Sequence, residues 1–337
     1  MERASTRQDA DGESNASRDQ VVRNWILSPA AILTAALVLA TAFSAGASSA
    51  WIADLAVHFR LQYAAIALVV FVLFALLRRP AWAAIALGIA VTNGLIAAPL
   101  VVSRPAASGV TEVATDDGVP VRLAFINVFY GNDEYRRVLD FVRTEQPDAI
   151  VFAEVDADWL RALDALKKDY PNAYGTRGKR GRGLLLLSRL PMEKPAVIAV
   201  SNEAEPALGV TLSVQGKPLH LLGVHATWPF GFRSKTSRDE QLAELAAAAQ
   251  ATPRPLVVLG DLNVSPFSSH FQRLLRAGNL ESAASGFGWQ PTWPKFMPPA
   301  GIQIDHALVS PGVQVRDFRR GPQVGSDHLP VVVDLAL

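Results

Sequence analysis

Three stretches of this chain carry no charged side chain: Asn24 to Ala53, Leu61 to Leu77 and Pro80 to Ser103. Each is about long enough to cross a bilayer core of roughly 30 Å as a helix, and soluble cores rarely go so long without a charge. The runs predict a membrane anchor over residues 25–103 with about three transmembrane helices, behind a polar tail over residues 1–24. Leu61 to Leu77 is the shortest, so a two-span anchor stays open, although Tyr63 and Trp82 occupy positions that interfacial aromatic rings favour. A cleaved leader fits poorly, because the polar segment before Trp25 is long and further apolar runs follow the first.

The flanking charge sets the expected orientation. Arg3, Arg7, Arg18 and Arg23 precede the first run, and Arg78-Arg79 separate the second from the third. Short arginine-bearing segments stay on the cytoplasmic side, so three crossings put everything after Ser103 on the outer side. Residues 104–120 are small, polar and rich in turn formers, which reads as a linker. Val121 to Leu337 then remain as one unit large enough for a layered core. The chain has no cysteine, which excludes disulfides and thiolate-held zinc or iron–sulfur centres in it and leaves hard oxygen ligands. The net charge of +1 averages an anchor with an outer domain and points to no partner.

Within that unit, strand-like runs are expected at Val121–Val128, Ala149–Ala153, Gly183–Ser188, Ala207–Val214, Leu219–His225, Leu256–Leu259, Gln303–Val309 and Val331–Leu335. Helical spacing marks Asp133–Glu145, Trp159–Tyr170 and Ser237–Ala251, the last with Ser237 as its cap. Strands outnumber helices and arrive in pairs, which predicts an α+β or α/β core built on two sheets.

Polar residues gather at the ends of these strands. Gly260-Asp261-Leu262-Asn263 follows one apolar run and Ser326-Asp327-His328 precedes another. Carboxylates, carboxamides and imidazoles so placed are what a hydrolase needs to hold a divalent cation against a phosphate. If Asp261 and Asn263 lie on extended backbone, both side chains point to one face. His306, next to Asp305, should point to the opposite face and is expected to be structural. No functional role is expected of His220.

Asn127-Val-Phe-Tyr-Gly-Asn132, Pro147-Asp-Ala-Ile-Val-Phe-Ala-Glu154, His225, Gly260-Asp-Leu-Asn263, Ile304-Asp305-His306 and Ser326-Asp327-His328 occur in that order. Over Val121 to Leu337 the chain resembles the endonuclease/exonuclease/phosphatase superfamily of DNase I-like enzymes, and in particular bacterial members with an N-terminal membrane anchor. The resemblance implies a four-layer α/β/β/α sandwich of two mixed sheets. It also implies a Mg2+-dependent hydrolase, with Mn2+ as the alternative ion, attached to the bacterial cytoplasmic membrane with its catalytic domain outside.

By the same resemblance, Asn127, Glu154 and Asp327 hold the metal, and Asp261 orients or deprotonates the attacking water. Asn263 donates to a phosphate oxygen, His225 touches phosphate or protonates the leaving group, and Asp305 fixes the tautomer of His328. Asn132 matches a substrate-facing position and equally suits a helix cap. Many relatives carry an arginine where this chain has Gln303-Ile304, which leaves open where a phosphate-contacting cation comes from.

The substrate implied is a phosphodiester, in a nucleic acid or a phospholipid head group. The alternatives are a lipid or inositol phosphomonoester, and an inactive module that only binds a phosphorylated ligand. Basic segments Arg177-Gly-Lys-Arg-Gly-Arg182 and Arg233-Ser-Lys235 with Arg238 could track a polyanion, while Trp228, Phe230 and Phe232 could stack on bases or meet lipid.

Overall fold

The computed structural model describes residues 27–46, 51–101, 118–176, 178, 182–200, 205–296 and 300–337. The expected tail, most of the expected linker, and Arg177 with Lys179 to Gly181 lie outside the described residues.

Among the described residues, α1 (Leu27–Ala45) and α4 (Pro80–Val101) are long and apolar enough to cross a membrane. Between them, α2 (Trp51–Val57) and α3 (Arg60–Leu76) form a pair bent by 67° that reaches spanning length only together. The first charge-free run is therefore not one helix, because α1 ends at Ala45 ahead of a Gly- and Ser-bearing segment of low helix propensity. Ile32, Val69 and Leu95 stand exposed on the outside of this bundle. Between the helices the chemistry is partly polar: Asn93 donates to Thr41 Oγ1 at 2.9 Å and accepts from Arg60 at 3.2 Å.

The remaining chain forms two six-stranded mixed sheets. The first takes β1 (Pro120–Asn127), β2 (Ala149–Val155), β3 (Asn172–Gly175), β4 (Gly183–Ser188), β11 (Gln314–Arg320) and β12 (Val331–Ala336), ordered β11-β12-β1-β2-β4-β3. The second takes β5 (Met192–Ile198), β6 (Ala207–Val214), β7 (Lys217–His225), β8 (Leu256–Asp261), β9 (Glu281–Ser282) and β10 (Asp305–Val309), ordered β5-β6-β7-β8-β10-β9. Leu123, Phe125 and Val151 from one sheet meet Leu221, Val257 and Leu259 from the other in the central core.

The outer faces are covered by helices. On the first sheet, α5 (Tyr135–Glu145) and α6 (Ala157–Leu163) bury Val138, Val142 and Trp159 against Ile126, Ile150 and Phe152. On the second, α7 (Phe232–Ala251) and α8 (Ser269–Gly278) bury Leu242, Leu245 and Phe271 against Leu222 and Val258. These layers are the expected four-layer sandwich.

Several boundaries differ from the reading of the sequence. α7 starts at Phe232 behind Gly231, so Ser237 lies buried inside the helix and is not its cap. α6 ends at Leu163 and passes into a 3-10 turn over Asp164–Leu166 instead of continuing to Tyr170. β10 begins at Asp305, not Gln303.

The order of the strands positions the site. β1 and β2 are parallel neighbours with Asn127 level with Ala153, and β7 and β8 are parallel neighbours with His225 level with Asp261. β10 runs antiparallel to β8 with Asp305 level with Asp261, and β12 runs antiparallel to β1 with Val331 level with Phe125. Strand ends carrying polar residues are thereby collected at one edge of the sandwich. The close approach of β7 to β8 there depends on Gly260, where a Cβ would press into the Val224 carbonyl and side chain. Gly260→Ala should cost about 1–3 kcal/mol of stability, read as a lowered midpoint in a thermal melt.

Candidate active site

Asn127, His225, Asp261 and Asp305 stand at the ends of β1, β7, β8 and β10, where the sheet fixes their backbone, while Asp327 and His328 lie in the loop before β12. Glu154 leaves regular pairing: the β2–β4 register shifts between Phe152 and Val155, and Glu154 adopts a left-handed φ of 60°. Phe129 and Asn263 do the same at 57° and 47°. Such backbone costs about 1–3 kcal/mol per non-glycine residue and tends to cluster at functional sites.

Asn127 Nδ2 is the hub. It lies 3.1 Å from Glu154 Oε1, 3.3 Å from Asp261 Oδ2 and 3.5 Å from His328 Nε2, while its Oδ1 accepts from the Phe129 amide. His225 Nε2 stands 3.8 Å from both Glu154 Oε1 and Asp261 Oδ2, too far for a hydrogen bond, so it faces both carboxylates without being bonded to either. His328 Nδ1 is held by Asp305 at 2.9 and 3.1 Å, which leaves Nε2 aimed toward Asp261 Oδ2 at 3.7 Å. Asp305 is itself fixed by its amide, which donates to Thr292 Oγ1 at 3.2 Å.

Charge is concentrated here. Burial and the Asp305 carboxylate beside it raise Asp261 well above the ordinary carboxylate range. Burial works against the His328 imidazolium, but Asp305 and Asp261 outweigh it and hold its pKa high. His225 is lowered, chiefly by burial.

Asn263 does not sit on extended backbone as expected. Its amide donates to Asp261 Oδ1 at 2.8 Å in a tight turn, and its Nδ2 donates to the Ala226 carbonyl at 2.8 Å. Asn132 is buried, with Nδ2 on the Val128 and Val324 carbonyls at 3.1 and 3.4 Å and Oδ1 accepting from the Glu134 amide. Those bonds tie one loop to another just ahead of α5, whose cap residue is Glu134. Asp327 lies between Ser326, whose Oγ donates to the Asn127 carbonyl at 2.6 Å, and His328. Its Oδ2 accepts from the Trp293 indole at 3.1 Å, and its Oδ1 is buried with no hydrogen-bond partner. His306 points away, with Nε2 on the Val264 carbonyl at 2.9 Å and its ring 4.6 Å from that of Phe271.

The first basic segment and the Asn127-to-Asn132 motif meet at the site through Arg182 and Tyr130. Arg182 lies 3.7 Å over the Tyr130 ring and 4.0 Å from Glu154 Oε2, which brings a cation to the site from a different segment than Gln303-Ile304. If it contacts phosphate, Arg182→Met should raise KM for a phosphoester by roughly tenfold with a smaller change in kcat, as steady-state kinetics would show. In the second basic segment Arg233 is exposed, but the other two cations are turned inward. Lys235 and Arg238 are buried, and both pair with Asp239.

Fold and site together define a DNase I-like phosphoesterase architecture. The chain belongs to the Endonuclease/Exonuclease/phosphatase family, whose sequence profile matches residues 124–328. Similar solved structures include an endonuclease/exonuclease/phosphatase from Beutenbergia cavernae, 22% identical, covering 65% of this chain and 72% of that one with a TM-score of 0.55. Another from Bacteroides vulgatus is 20% identical over 65% of this chain and 99% of its own, with a TM-score of 0.54. D. rerio TDP2 complexed with a single-strand DNA product is 14% identical, with coverages of 64% and 98% and a TM-score of 0.54. These likenesses carry the fold. No curated protein matches the sequence.

Proposed function

We propose that the chain is a membrane-anchored, divalent-cation-dependent phosphoesterase that hydrolyses a phosphodiester by in-line attack of water. The observation that carries this reading is the convergence of Asn127, Glu154, His225, Asp261, Asp305 and His328 on one gap, with polar atoms 2.9 to 3.8 Å apart.

The residues fit a hard cation. The donors are carboxylates and a carboxamide, and Asp327 Oδ1 is a buried acceptor without a partner. Glu154 and Asp327 would hold Mg2+ or Mn2+ together with the Asn127 carboxamide oxygen, which reaches the cation once the amide is turned so that Oδ1 takes the place of Nδ2. Asp261, Asp305 and His328, whose polar atoms lie within 4.8 Å of one another, stand beside them. When bound, the cation neutralises charge developing on the phosphoryl oxygens. The protein's own groups do the rest. Asp261 orients the water and accepts its proton, the His328 Nε2–H fixed by Asp305 donates to a phosphate oxygen, and His225 serves the leaving group across the gap. Asn263, held by Ala226 and Asp261, shapes the turn that presents Asp261 and lies beside the phosphate.

The anchor favours a substrate at the membrane, on the outer side by the arginine distribution. Trp228 and Phe230 on the loop that follows His225 are each 61% exposed, Phe232 at the start of α7 is 68% exposed, and Phe230 packs on Trp51 of α2 at 5.8 Å. An aromatic loop joined to the anchor suits a phospholipid head group, whereas the internal pairing of Lys235 and Arg238 weakens the case for a nucleic acid. The full chain in vesicles, with Mg2+, should release a water-soluble head group from a phospholipid. Inorganic phosphate alone would point to a phosphomonoester. Release from none of phospholipid, DNA or lipid phosphate, or equal release in excess EDTA, would contradict the reading.

A further inference from the structure

Polar side chains on α2 and its bend into α3 reach across into the catalytic unit. Asp54 is 0% exposed, and its Oδ2 accepts from Arg238 Nη2 at 2.8 Å. Arg238, also 0% exposed, donates from Nη1 to the carbonyl of Asn263 at 3.2 Å. One turn beyond Asp54, His58 Nδ1 lies 2.8 Å from Ser265 Oγ and accepts from the Ser265 amide at 3.4 Å. A further turn on, Gln62 Nε2 donates to the Gly301 carbonyl at 2.9 Å, in the segment that leads to Asp305.

A tether needs only chain continuity. Burying a charged pair is costly and gives little net stability, so an ion pair buried between anchor and domain points to a role in fixing geometry. Its target is the turn after β8, where Asp261 precedes Asn263, a non-glycine residue at a left-handed φ of 47°. Strained backbone of that kind persists only when its surroundings over-determine it. Leu262 and Val264 are buried from one side of the turn, and Arg238 and His58 hold Asn263 and Ser265.

We propose that the α2–α3 corner of the anchor is a positioning element of the active site: Asp54 acting through Arg238, and His58 acting through Ser265, hold the Asp261–Ser265 turn in its working conformation. Catalysis then depends on the anchor as a structural part of the site. Only the activity half of the test rests on the phosphoesterase reading.

The test uses the full chain in lipid nanodiscs and compares Asp54→Asn, Asp54→Glu and His58→Ala with Ile52→Ala, which alters an exposed position on α2. Hydrogen exchange at the amides of Asn263, Val264 and Ser265 is measured beside kcat and KM for bis-p-nitrophenyl phosphate with Mn2+. Exchange in the turn should quicken in Asp54→Asn and His58→Ala while β8 stays protected. The same variants should lose about tenfold or more in kcat with KM little changed, Asp54→Glu should recover part of both, and Ile52→Ala should match the unmodified chain. If Asp54→Asn also deprotects β8, it has failed to fold and His58→Ala decides. Unchanged exchange in the turn, or equal effects in Ile52→Ala, would overturn the proposal. Should the unmodified chain leave the ester intact while the turn responds as stated, the phosphoesterase reading falls and the bracing stands.

Discussion

Asp261→Asn should lower turnover of a phosphodiester by about 10²–10⁴-fold, the range expected for loss of a positioned proton acceptor, and leave the fold intact. The substituted side chain keeps an oxygen that can accept from the Asn263 amide, as Asp261 Oδ1 does at 2.8 Å. What changes is the atom facing Asn127 and the two imidazoles, where an acceptor becomes a donor that cannot take a proton. Burial first, and then the Asp305 carboxylate, make a charge at Asp261 costly, and a neutral carboxamide there removes that cost. The thermal midpoint should therefore hold or rise while kcat collapses. Near-normal turnover in this variant would remove Asp261 from the chemistry.

Glu154→Ala should weaken Mn2+ binding by more than the roughly 10–100-fold associated with losing an outer-shell partner, because it deletes a carboxylate at the centre of the set. Isothermal titration of the full chain in detergent measures this directly. Stability should change little. Glu154 makes a 3.1 Å bond with Asn127 and a weak 3.4 Å one with the Tyr130 amide, and its left-handed backbone is retained by alanine. Unaltered affinity would place the cation elsewhere, with the Asp261, Asp305 and His328 group the first alternative.

The central strands could be read from the sequence because burial on both faces gave them continuous apolar runs, as in β2 and β8. Edge strands could not. β5 is exposed along most of its length and contains Pro195, and β11 mixes arginines with apolar residues, so neither shows a clean alternation. The start of α7 was hidden because its first turn carries Phe232 and Arg233 exposed, with no polar cap before Gly231. α8 does carry a signal, in Ser268, whose hydroxyl accepts from the His270 amide, and in Phe271 and Leu274 buried on one face.

At the site, short motifs located the strand ends, since each polar residue interrupts an apolar run. They could not show the turn at Asn263 or the loop-tying bonds of Asn132, which depend on carbonyls of Ala226, Val128 and Val324. The partners of Asp54 and Arg238 were equally hidden, because residues separated by 184 positions pair only once the apolar helices pack on the sandwich.

Diffraction from crystals of the chain grown with Mn2+, recorded for anomalous signal, tests the convergence most directly. A single strong peak bounded by Glu154, Asn127 and Asp327, within ligand distance of the Asp327 oxygen that is unpartnered here, is the predicted result. No bound ion at the strand-end gap, or a peak away from Glu154, would contradict the account.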